Sequence, residues 1–101
     1  MVEVILLVLK IENTRMPEKQ VKEAVLKALK IRIEKINQKL IPIHENMLRF
    51  QSKYGLNNRE FHDKYVKGEL GDDMDLMEWK VSLEIYEELQ EEKRALLEAI
   101  G

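Results

Sequence analysis

The chain has no cysteine. Disulfide bridges and thiolate metal sites are excluded, and nothing points to a secreted, cross-linked scaffold. Glycine and proline are scarce, at four and two residues of 101, so few turns can interrupt the regular elements. Aromatic residues make up only 6%. The longest apolar run, Val4 to Leu9, is far short of the about 20 residues that span a bilayer. The N-terminus also lacks a basic start and a small-residue cleavage site, so no signal peptide is read there and a cytoplasmic protein is expected. Ser52, Ser82 and Thr14 are the only serines and threonine, none lies in a nucleophile elbow, and there is no phosphate-cradling glycine loop. The expectation is a protein without enzyme activity and without a cofactor.

What is present suits a helical domain. Hydrophobic residues account for 45% and charged residues for 36%, too apolar for a disordered chain and too charged for a membrane one. A chain of 101 residues reads as one domain with a modest core, whose apolar edges call for self-association or a partner. The charge is uneven. Residues 1–54 hold 11 Lys and Arg against 6 Asp and Glu, a net +5, whereas residues 55–101 hold 6 against 13, a net −7. Two long helices of opposite sign packing together explain this. The alternative is a basic face on residues 19–39 (Lys19, Lys22, Lys30, Arg32 and Lys39) turned toward nucleic acid. Because those cations are interleaved with glutamates and have no aromatic platform, nucleic acid is the weaker reading.

Residues 2–12 are rich in β-branched residues and leucine and read as a short strand. A lone strand must pair with a copy or with a partner's sheet edge, and Val4, Leu6 and Val8 would anchor it. The alternative is a helical or irregular extension, with Met16 as the start codon. A helix then opens at Pro17, with Glu18 at the positive end of its dipole and Asn13 or Thr14 as cap.

Leu26, Leu29, Ile33, Ile36, Leu40, Ile43, Met47, Phe50 and Tyr54 follow at alternating spacings of 3 and 4, a 3.5-residue repeat. Glu18/Lys22, Glu23/Lys27 and Glu45/Arg49 add ion pairs at i,i+4. Ile41 and Leu48 widen the stripe beyond a two-stranded seam, toward a hairpin or four-helix arrangement. Pro42 lies inside the repeat and removes the hydrogen bond to the Gln38 carbonyl. Because the seam continues in phase past it, the expectation is one kinked helix or two abutting ones over 17–54.

Gly55 reads as the helix terminator. Asn57 and Glu60 form a capping box, with Leu56 and Phe61 as its hydrophobic staple. The short helix over 58–67 carries Phe61 and Tyr65 on one face and stops at Gly68. A last helix over 73–99 starts in an acidic turn, with Asp72 or Asp73 as cap and Asp75 and Glu78 near the dipole's positive end. Its apolar face holds Trp79, Leu83, Tyr86, Leu89, Leu96 and Ile100.

Asp72, Asp73, Asp75 and Glu78 are the one constellation that resembles a ligand site, since four carboxylates could hold Mg²⁺ or Ca²⁺. The loop lacks the spacing and glycine of a calcium loop, and capping explains the same residues, so no metal is expected. His44 and His62 have no second ligand at helical spacing. Trp79 and Phe61 read as core aromatics. Tyr65 and Tyr86 divide evenly between core and a docking patch.

Tyr54-Gly55, Phe61, Tyr65, Gly68-Glu69-Leu70-Gly71-Asp72-Asp73, Asp75 and Glu78-Trp79 resemble a signature of short bacterial and archaeal helical proteins. Some of these are similar to the antitoxin-like half of toxin–antitoxin modules. The resemblance covers roughly residues 45–95 and implies a protein that occludes a small partner; the strand at residues 2–12 departs from the pattern. The sequence thus predicts a mainly α antiparallel helical hairpin, with two hairpins pairing into a four-helix homodimer. The expected contacts are the anchors of the strand, the seam from Leu26 to Phe50, Tyr65 and Tyr86. A purely structural homodimer is the alternative role.

Overall fold

In the computed structural model, residues 17–101 are described. The expected strand at residues 2–12, its anchors Val4, Leu6 and Val8, and the caps Asn13 and Thr14 lie outside the described residues. Three helices follow in order: α1, Glu18–Tyr54; α2, Asn58–Val66; and α3, Met74–Ile100. Each boundary falls within one residue of the pattern read from the sequence. Pro17 precedes α1 and its carbonyl accepts the Val21 N–H at 3.1 Å, so it caps the helix through its backbone. α1 runs without interruption through Pro42.

The short connections are closed by local chemistry. Asn57 caps α2 by accepting the Glu60 N–H at 2.8 Å, and the Glu60 carboxylate accepts the Asn57 N–H at 3.4 Å. At the other end of α2, the Gly68 N–H bonds to the Tyr65 carbonyl and the Glu69 N–H to the Lys64 carbonyl, both at 3.0 Å. This paired closure needs a left-handed residue, and Gly68 supplies it at φ 72°. Asp73 ends the acidic turn, its carbonyl accepting the Leu76 N–H at 3.0 Å as α3 begins.

The contacts divide the chain into two compact units, where the sequence reads as one domain. One is Gln38–Gln90 and the other joins the described residues up to Asn37 with Glu91–Gly101. In the unit Gln38–Gln90, α1 and α3 run antiparallel: Lys53 meets Asp75, and nine residues earlier His44 stacks on Tyr86, eleven residues later. Its core is Met47, Phe50, Phe61, Leu76 and Trp79, with Ile43, Leu56, Tyr65, Leu83 and Tyr86 among the half-buried residues against it. Trp79 is the centre. Its ring lies 3.9 Å from that of Phe61 at 8° and also stacks on Phe50 and Tyr54. Its indole N–H donates to Asn58 Oδ1 at 2.9 Å, so burial leaves no donor unpaired.

In the second unit Leu29, Ile36 and Leu96 are buried. Arg32 grips Glu92 in a forked contact, Nη2 to Oε2 at 2.7 Å and Nε to Oε2 at 3.2 Å. Such paired geometry favours arginine over lysine at this position.

Candidate interaction surface

The 3.5-residue seam of α1 is mostly covered by the chain itself. Leu29, Ile36, Leu40, Met47 and Phe50 are buried, and Ile33, Ile43 and Tyr54 are half-buried. Those from Leu29 to Phe50 are among the residues expected to contact another chain, and within this chain they are already buried or half-buried. Tyr65 and Tyr86 are half-buried against that core, and Trp79 and Phe61 lie within it. Leu26 is exposed, while Val21 and Val25 are half-buried. Toward its N-terminus the inward stripe therefore steps by four residues, from Leu29 to Val25 to Val21. A helix of 3.6 residues per turn drifts away from a strict heptad in this way.

The acidic turn holds no cation cage. Among the described residues no group of three or more His, Asp or Glu is placed to hold a metal. Asp72, Asp73 and Glu78 are exposed, and Asp75 is turned to a structural task. Its Oδ2 takes the Lys53 ammonium and the Tyr54 hydroxyl, the latter at 3.3 Å. The Lys53 bond holds the Asp75 carboxyl below the usual carboxylate range, and the same bond raises the Lys53 ammonium. Burial first, and then the Asp75 charge, raises the Tyr54 phenol. This hub joins the end of α1 to the start of α3, and its partners stand 22 and 21 residues apart.

The basic run is smaller than its count of cations. Lys22 is bound to Glu18 at 2.8 Å, an i,i+4 bond that lowers the Glu18 carboxyl, and Arg32 is bound to Glu92. Lys19, Lys30 and Lys39 are exposed. His44 is exposed and stacks on Tyr86, and exposed His62 lies beside Asp63.

A feature missed in the sequence lies on the outer side of α3. Met74, Met77, Val81 and Ile85 are 82%, 54%, 51% and 40% exposed. Their spacings of 3, 4 and 4 put all four within about 80° of helical arc, at about 100° per residue. On the opposite side of the same turns, Leu76 and Trp79 are buried and Leu83 and Tyr86 are half-buried. α3 thus has two apolar faces here, and only one is used by its own core. The exposed row is bordered by Glu78 on one flank and by Glu84 on the other, and Glu88 stands in line with it at its C-terminal end, all exposed. The other exposed apolar side chains of the unit are fewer and spread out: Ile41 and Leu48 on α1 and Val66 at the end of α2.

Among the described residues, no helix is long and apolar enough to cross a membrane. No family model, curated protein or solved structure matches the chain.

Proposed function

We propose that this protein is a non-enzymatic interaction module and that the outer face of α3 is where it holds a second protein. One observation carries the reading: Met74, Met77, Val81 and Ile85 form a contiguous apolar row in water, opposite a face already satisfied by the core. Isolated exposed apolar residues are ordinary, but an aligned row of four on a rigid helix is the pattern of a docking ridge. From Leu29 to Tyr54 the seam of α1 offers no such row, because its side chains are buried or half-buried within the chain.

The resemblance of the Gly68–Asp75 turn to antitoxin-like proteins gives the proposal a specific form, in which the ridge covers the working surface of a small toxin. A small reading frame beside the gene would support that form, and an isolated gene would count against it.

The direct test is a photo-crosslinking amino acid placed at Val81, with Ile41 as the control position, in cells that produce the protein natively. A discrete covalent adduct with a heterologous chain is expected from position 81 and none from position 41. Equal labelling at both positions, or no adduct from position 81, removes the proposal.

A further inference from the structure

We infer that the partner seated on the α3 ridge is a basic amphipathic helix of a different chain; this rests on the docking reading above and adds its chemistry. The ridge has an apolar floor and acidic walls. Glu78 stands on one side and Glu84 on the other, with Glu88 in line at its C-terminal end and exposed Asp72 and Asp73 beyond its N-terminal end. Lys80, on the same helix beyond Glu84, is already committed: its ammonium lies 3.9 Å from Glu84 and 5.1 Å from the centre of the Tyr65 ring. At 1.5 Å per residue the row from Met74 to Ile85 is about 16 Å long, roughly three helical turns. A helix with apolar residues at i, i+3 or i+4, and i+7, flanked by lysine or arginine, matches it in length, spacing and sign.

A second copy laid ridge to ridge does not. Laying α3 on α3 in either direction sets Glu78, Glu84 and Glu88 of one chain against the same acids of the other. On α1, Ile41 and Leu48 have Glu45 between them on the same face, so that pair would add a carboxylate to the acidic walls. Like charges brought together across an interface oppose association.

The test uses the full chain with isotope-labelled methionine methyl groups and two synthetic peptides of about 18 residues, the span of such a helix. One contains only leucine, at helical 3,4 spacing, and lysine; its twin has glutamate in place of every lysine. The lysine peptide is expected to bind, to shift the Met74 and Met77 methyl signals, and to weaken as salt is added. Its affinity should fall about tenfold or more in Glu78→Lys/Glu84→Lys and in Val81→Lys. It should be unchanged in Ile41→Lys, with each variant first shown to melt as the parent does. Glu84→Gln, which keeps the side chain's shape, should give a smaller loss in the same direction.

Equal binding of the two peptides overturns the proposed chemistry while leaving the crosslinking result intact. Affinity unmoved by Val81→Lys places the peptide elsewhere and overturns it as well. So does binding by neither peptide, or a dimer in light scattering that Val81→Lys dissolves.

Discussion

Asp75 shows how one carboxylate can be reassigned by a partner distant in the chain. Near the start of a helix its default role is to face the dipole, yet it binds Lys53 and Tyr54. Because its folded pKa lies below the ordinary value of 3.8, its contribution to stability is present above that value. It is lost as the pH falls through the lower, folded value. Asp75→Asn should therefore melt below the parent at neutral pH, and the difference should narrow as the pH is taken below 3.8. Both groups are partly solvated, so added salt should shrink the neutral-pH difference too. Thermal melts by circular dichroism at both pH values check this, and an unchanged difference at low pH would refute it. The ion pair was not legible in the sequence, since nothing local relates position 75 to position 53. The capping box of Asn57 and Glu60 was legible, because its donors and acceptors lie within four residues of each other.

At the scale of the element, α1 is notable for tolerating Pro42. Proline has no N–H to give to the Gln38 carbonyl, and in a helix interior it costs about 3 kcal/mol relative to alanine. Gln38 is also the residue at which one compact unit gives way to the other along α1. Pro42 is exposed, so its ring leaves no cavity when removed. Against the gain stands the freedom that proline takes from the unfolded chain, about 1 kcal/mol. Pro42→Ala should therefore stabilise the protein by about 2 kcal/mol, measured by urea unfolding; a loss of stability would contradict this account. The helices were readable because apolar spacing repeats over many turns. The start of the inward stripe was not, because a heptad count continued through Leu26, whereas the helix, at 3.6 residues per turn, directs Val25 inward.

For the whole molecule, a seam buried within one chain bears on whether stability is tied to association. With Leu29, Ile36, Met47 and Phe50 covered within one chain, stability should not depend on association. The melting temperature should stay constant over about a hundredfold range of protein concentration. Scanning calorimetry or circular dichroism at both extremes decides it, and a rise with concentration would instead tie folding to assembly. The mainly helical class was legible from composition and period. The exposed row was not: in α3 the core-facing aromatics stand out, and they mask the second apolar spacing of Met74, Met77, Val81 and Ile85. Only the burial of one face identifies the other as surplus.

The single tryptophan makes the protein its own optical gauge. Trp79 is fully enclosed, stacked on Phe61 of α2 and hydrogen-bonded to Asn58 at the first turn of that helix. Any event that peels the short helix away exposes the indole to water and shifts its emission to the red. A ligand resting on the outer side of α3 leaves the colour unchanged. Fluorescence from one native residue thus separates disturbance of the interior from occupancy of the exterior without a label.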